Sequence, residues 1–296
     1  MLIGILGWDH EEFESVQLGK VSKELGYDTL LFSLQDIEMD ISASHKSIHV
    51  FGTDLKEFDV IISRAQLRKD YYQEDLQVLY SLNEYVDCLI DHYSSFTLSE
   101  SKLLTYQKLA NHGFTVPDTF LCKDVGSIRR IFDHYSQIVI KPSFGYAGQD
   151  VEKIEKSFEQ NEKLIETLLH KYGSVLVQEF IPHPDGDIRV TTLGDDAIVC
   201  FNRLPNDKTW KANVGMGATI ERITPPQEVV DLGIEAAKCI GLQISGVDIV
   251  RSKGKYYIFE VNNCPGWYPL QEDGEEVARE IIRYCVNKVK PKERVL

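Results

Sequence analysis

The chain has 296 residues, 43% hydrophobic and 26% charged, which is enough for one large or two modest domains with a real core. Its formal charge of −14 excludes broad nucleic-acid binding, which relies on a basic footprint. No apolar run reaches the length of a membrane span, so no membrane partner is expected.

The start, Met1 to Gly7, lacks a basic leader and reads as a first strand at 2–6 instead of a signal peptide. A helix over 11–25 ends at Gly26, and strands follow near 28–33, 47–51 and 58–63. The alternation predicts an α/β lobe with a mainly parallel sheet. Its first loop, Gly7-Trp8-Asp9-His10, has no GxGxxG, so the lobe is expected to position substrate and not to bind a cofactor. A helix spans about 71–87, and another spans 99–112 before Gly113. Then come a short strand at 116–121, a helix at 124–135 and an apolar strand, 137–141, ending in Lys141.

Lys141 precedes a loop containing Gly145 and Gly148. Such a loop lets backbone approach phosphates beside a compact positive charge, or it is a plain hairpin loop. A helix near 157–171 leads to the strand 174–181, which ends in Gln178-Glu179-Phe180-Ile181. That end suits a purine edge and ring, or it is a strand leaving the core. Asp187 and Arg189 share a face of the next strand, 187–192, where a surface ion pair of little weight is the alternative. After the strand 197–203, Arg203, Lys208 and Lys211 form a cationic group before Asn213. Thr224-Pro225-Pro226-Gln227 reads as a helix start, with Thr224 as cap, Pro225 in the first turn and Gln227 reaching back; Gly241 ends that helix.

The strands around GVDIVRSKGKYYIFEVN, 246–262, carry the strongest signal. A three-residue turn at Lys253-Gly254-Lys255 pairs Ser252 with Tyr256 and sets Asp248 opposite Glu260. Asn262 then lies on the face of Glu260, roughly 7 Å further on. Two carboxylates and an amide oxygen suit Mg²⁺ with open positions for phosphates, whereas a hairpin with its acids in water is the other reading. A helix at 274–287 and a basic tail, 288–296, close the chain. The six cysteines show no zinc spacing and read as reduced thiols of a cytoplasmic protein; Cys264 has no neighbouring base to make it a nucleophile.

The order of these parts resembles the ATP-grasp superfamily, and within it the RimK-like amino-acid ligases. The matching segments are Lys141-Pro142, LVQEFI (176–181), DIRV (187–190), WKANVGMGA (210–218), GVDIV (246–250) and EVNNCPG (260–266), with GFTVPDTF (113–120) as the fold's entry. The resemblance covers roughly 97–286. It implies an α/β (α+β) architecture, an ATP-grasp fold preceded by a small parallel-sheet lobe. The divisions would be an amino-terminal domain (1–96), a central subdomain (97–181), a carboxy-terminal subdomain (182–287) and a tail (288–296).

It further implies an ATP-dependent carboxylate–amine ligase working through an acyl phosphate. Glutamate is the first candidate amino acid, and the acceptor is a protein, peptide, carrier or small metabolite. An inactive Mg·ATP-binding scaffold of the same fold is the alternative. By position, Lys102 and Lys141 would contact phosphates, and Glu179 and Phe180 would line the adenine hinge. Asp187, Lys211, Ala212 and Asn213 would touch the nucleotide. Asp248, Glu260 and Asn262 would hold Mg²⁺, as two ions, with Mn²⁺ as a substitute. Arg203, with Arg189 second, would steady the substrate carboxylate and acyl phosphate. Relatives suggest a dimer or tetramer. Three departures stand out: Asp150 where the family loop often has glycine, Val214-Gly215-Met216 without an arginine, and the bulk of Trp267-Tyr268.

Overall fold

A computed structural model describes residues 1–145, 148–205, 219–267 and 274–289. The amino-terminal part runs β1 (Leu2–Leu6), α1 (Phe13–Glu24), β2 (Asp28–Phe32), β3 (Ile37–Ile41), β4 (Lys46–Val50), β5 (Thr53–Asp54), β6 (Val60–Ser63), α2 (Tyr72–Asn83) and β7 (Leu89–Ile90). Strands in the order β2-β1-β6-β7 form a parallel sheet. Its central strands are almost wholly apolar because both faces are covered. The expected strand near 47–51 does not join it. It is the middle of a separate antiparallel sheet, β3-β4-β5, whose short connections suit hairpins and not parallel crossovers.

Next come α3 (Tyr93–Glu100), α4 (Lys102–Asn111), β8 (Thr119–Cys122), α5 (Val125–Tyr135), β9 (Ile138–Lys141), β10 (Glu152–Ile154), α6 (Glu162–Tyr172) and β11 (Val175–Glu179). Ser101 caps α4 by accepting from Leu104 N, and Gly113 follows it at φ +83°. An antiparallel sheet in the order β10-β9-β11-β8 packs on α5 and α6 around Ile138, Ile140, Phe158, Ile165 and Val177.

The remainder is β12 (Asp187–Leu193), β13 (Asp196–Leu204), β14 (Thr219–Arg222), α7 (Gln227–Ile240), β15 (Ile244–Ser252), β16 (Lys255–Asn262) and α8 (Gly274–Lys288). These strands form a five-stranded antiparallel sheet, β14-β13-β12-β15-β16. Helix α7 starts later than Thr224. Pro226 is its N-cap, with no side-chain capping bond, because the residue before a proline is driven out of helical geometry. Gly241 ends it in the left-handed region, as expected. One core is shared by distant parts of the chain. Ile3, Leu18 and Ile62 pack with Phe201, Ile244, Trp267 and the α8 residues Ile281 and Ile282. No helix among the described residues is long and apolar enough to cross a membrane.

Candidate active site

The hairpin β15–β16 reaches the expected pairing by an unexpected route. Its turn is only Lys253-Gly254, both at positive φ (48° and 77°), so Ser252 pairs with Lys255 and not with Tyr256. That register would set Asp248 against Phe259. A β-bulge at Phe259 restores the count, and Asp248 stands opposite Glu260 with Gly246 opposite Asn262. Successive strand residues normally face opposite sides. Here Phe259 and Glu260 both line the same cleft.

That cleft, about 910 Å³ when the space open to solvent is counted, lies between the β9–β11 sheet and the five-stranded sheet. It gathers Lys102, Lys141, Gly145, Gly148, Gln178, Glu179, Phe180, Ile181, Asp187, Arg203, Asp248 and Glu260. Arg189 and Asn262 are not in its lining, although each bonds to a strand that is. Lys211, Ala212 and Asn213 lie outside the described residues. The Gly145–Gly148 loop joins neighbouring antiparallel strands, β9 and β10, as a plain hairpin loop would, and both glycines line the cleft. Its glycines sit at φ +131° and +70°, conformations that a side chain resists.

The charged residues form a row across the five-stranded sheet. Asp187 is registered against Arg203, and Arg189 against Asp248 and then Glu260. Asp187 and Arg189 do not pair with each other, and neither is at the surface. Arg203 bonds Asp187 at 2.6 and 2.7 Å and Asp248 at 2.6 Å, while Arg189 forks onto Asp248, one arm at 2.8 Å. All four are buried. Burial pulls Asp248 upward, but Arg189 and Arg203 outweigh it and hold the carboxyl below its usual range. For Asp187, burial wins over Arg203 and the carboxyl is raised.

Glu260 pairs with Lys102 at 3.1 Å, which overcomes the upward push of burial and keeps the carboxyl below its usual range. Lys102 also fixes the glycine loop. Its backbone N–H donates to Ser143 O at 2.9 Å and its ammonium donates to Gly145 O. Burial, then repulsion from Lys102, lowers the Lys141 ammonium to about 7 against the pull of Glu260.

Among the described residues no three His, Cys, Asp or Glu side chains are arranged to hold a metal, so a cation here would rest on two carboxylates and one amide. Asp248 and Glu260 are cross-strand partners, and Asn262 shares the face. Its Nδ2 donates to Gly246 O at 3.0 Å, which leaves the amide oxygen for a cation. The donor types suit a hard, oxygen-preferring ion, while in this structure Arg189, Arg203 and Lys102 hold the two carboxylates.

An apolar end of the cleft is formed by Val139, Val151, Phe180, Ile181 and Phe259. The N–H groups of Glu179 and Phe180 are committed to Asp118 O and Gln137 O. Phe259, Val139, His183 and Tyr106 are site residues that the sequence reading missed. Strand alternation places Val139 on the face of Lys141, but a tyrosine in an amphipathic helix reads only as core.

The three departures fall in different places. Asp150 adopts φ +53°, the glycine-like conformation, and its carboxylate is held by Lys171 and Tyr172. Trp267 is buried away from the cleft, its backbone N–H on Glu14 at 2.9 Å and its indole against Gln17 and Arg64. Val214-Gly215-Met216 lies outside the described residues. Burial raises the Cys264 thiol to about 11, and it donates to Arg64 O at 3.7 Å, a setting that disfavours the thiolate.

Known proteins share this plan. The RimK-like ATP-grasp domain matches residues 99–285. Along 96% of this chain and 95% of the relative, the sequence is 28% identical to "Probable alpha-L-glutamate ligase 1" of Shewanella amazonensis. It is equally similar, with the same coverage, to "Probable alpha-L-glutamate ligase" of Methanococcoides burtonii. In fold, it resembles the RiPP-associated ATP-grasp ligase of Chryseobacterium gregarium, solved with ADP and a leader and core peptide. The TM-score is 0.75 at 15% identity, covering 98% of this chain and 97% of that one. It also resembles the D-cycloserine synthetase DcsG, with a TM-score of 0.73 at 17% identity, covering 98% of this chain and all of that one. With a domain match over more than half its length, the chain belongs to the RimK-like ATP-grasp family and is a ligase that forms carbon–nitrogen bonds.

Proposed function

We propose that the protein joins a carboxylate to an amine at the expense of ATP, through an acyl phosphate, with glutamate as the amino acid and a peptide or protein as the first acceptor to test. The observation that carries this reading is the meeting of Lys102, Lys141, Arg203, Asp248 and Glu260 around one cleft with a glycine loop at its wall. Full-length similarity to proteins named as glutamate ligases supports the amino acid, and the peptide-bound structural neighbour supports the acceptor class.

A carboxylate is a poor electrophile, and transfer of the γ-phosphoryl group activates it. That transfer needs alignment and charge neutralisation more than covalent help. The apolar end of the cleft takes the purine ring. Because the Glu179 and Phe180 N–H groups are already bonded, the Glu179 carbonyl and the Ile181 N–H meet its edge. The Gly145–Gly148 loop covers the phosphates, Lys102 and Lys141 neutralise them, and loop and walls keep water from the acyl phosphate. Asp248, Glu260 and Asn262 would hold magnesium, as two ions, and it would supply charge neutralisation for the phosphates. Arg203, which lines the cleft, orients the acid to be activated, and Arg189 supports it from behind through Asp248. Residues 1–96 take the part of positioning substrate.

The test is ADP and phosphate release with ATP, glutamate and a panel of acids, amines and peptides. Silence across the panel while Mg·ATP still binds would refute the ligase reading. Lys141→Ala and Asp248→Asn should each lower turnover about a hundredfold or more, the scale of losing one electrostatic contact to the transition state. Asp248→Asn removes a partner from two buried arginines, so its thermal unfolding must be recorded alongside.

A further inference from the structure

Tyr106, on α4, has none of the roles above, yet its hydroxyl makes two bonds. It accepts from Lys141 Nζ at 2.8 Å and donates to Phe259 O. The Lys141 ammonium also lies 4.9 Å from the centroid of the tyrosine ring. The residue is buried, and core packing would be served as well by phenylalanine, so it is the hydroxyl that calls for an account.

Its two partners belong to different walls of the cleft. Lys141 ends β9 of the four-stranded sheet, and Phe259 is the extra residue that precedes Glu260 on β16. A bulge disrupts the strand ladder locally, and a carbonyl left unpaired there is costly. Tyr106 supplies that carbonyl with a donor. On the other side, no carboxylate among the described residues lies within ion-pair distance of Lys141 Nζ, so the hydroxyl and the ring are what hold the ammonium.

We propose that Tyr106 is a positioning residue: through one hydroxyl it fixes where the Lys141 ammonium stands relative to the Asp248–Glu260 pair, and so where the nucleotide's phosphates settle. This rests on Lys141 being a phosphate ligand and the carboxylates being metal ligands. Displacement of a charged group by about an ångström is enough to matter in such a site.

The test is a double-mutant cycle on Mg·ADP affinity, by calorimetry, with the full-length protein, Tyr106→Phe, Lys141→Ala and the double variant. Tyr106→Phe is expected to weaken binding about tenfold, the scale of losing one hydrogen bond to a charged group. The same change in the Lys141→Ala background is expected to cost clearly less, because only the Phe259 carbonyl is then left without its donor. Wild-type affinity in Tyr106→Phe, with Lys141→Ala weakened, overturns the proposal. An equal loss in both backgrounds also overturns it, since a general packing role does not depend on Lys141. Undiminished affinity in Lys141→Ala strikes instead at the phosphate role of that lysine, and removes the basis of the proposal with it. Tyr106→Met, which also lacks the hydroxyl, takes the place of the phenylalanine variant if that variant does not fold.

Discussion

Lys141 carries an ammonium into a site where burial, and then the neighbouring charge of Lys102, lower its pKa to about 7. Near neutral pH the group is therefore part protonated. Polyphosphate placed against it favours the charged form and raises that value again. The ligand thus binds better to the protonated protein, and Mg·ADP affinity falls as pH rises above about 7. At pH 8, binding takes up protons. Calorimetry at pH 8 in buffers of different ionisation enthalpy should show heats that change with the buffer; identical heats would contradict the role given to Lys141. Stability follows the same group. Between about 7 and the ordinary lysine value the unfolded chain holds a proton that the folded one lacks, so stability rises with pH across that window. The two arginines on Asp248 make a second residue-scale point. A buried ion pair is weak evidence for stability, and the row Asp187, Arg203, Arg189 and Asp248 makes better sense as machinery than as cement.

Among the elements, β16 is the informative one. Removing Phe259 would straighten the strand while leaving Glu260 to follow Ile258, opposite Asp248. The carboxylates keep their pairing, but the aromatic wall and the carbonyl held by Tyr106 disappear. The deletion is expected to raise KM for ATP about tenfold or more, on the scale of losing one ring contact to a base, with the protein still folded by circular dichroism. An unchanged KM would contradict a functional bulge. Much of this level was legible in the sequence. Gly113 and Gly241 end helices because only glycine sits easily at their positive φ, and β9 and β11 announce themselves as apolar runs. Asp248 and Glu260 were legible as partners, though by a miscount: the three-residue turn expected for the hairpin adds the one residue that the bulge at Phe259 supplies. The bulge was not, since it is fixed by a tyrosine about 150 residues earlier. Nor was the β3–β4–β5 sheet: β3 alternates cleanly, Ile37-Glu38-Met39-Asp40-Ile41, but the strand near 47–51 reads as part of the parallel sheet instead of as a hairpin with it. The Asp187–Arg203 and Arg189–Asp248 partnerships needed the sheet's strand order, which residue spacing along one strand does not contain.

Across the whole molecule, the amino-terminal lobe is not an independent unit. Its β1, α1 and β6 share a core with β13, β15 and α8. Arg64 reinforces this from just beyond β6: buried, it bonds Glu12 at 2.6 Å and Pro265 O at 2.9 Å, next to the segment that carries Asn262. Residues 97–296 alone would expose the inner faces of α8 and β13. That fragment is expected to be insoluble or to lack a cooperative transition, and calorimetry of the intact chain should show the lobe and the five-stranded sheet melting together. A soluble, cooperatively folding fragment would contradict the shared core. The four-stranded β10-β9-β11-β8 sheet differs, because it has a core of its own.

That separateness has a consequence for turnover. The sheet meets its neighbours across the cleft at the joints where Lys102 reaches Ser143 and Gly145, Lys141 reaches Tyr106, and Phe144 rests on Tyr72. With the nucleotide placed as proposed, these same few contacts would both align it and be disturbed by its departure, so firm grip and quick release would be opposed.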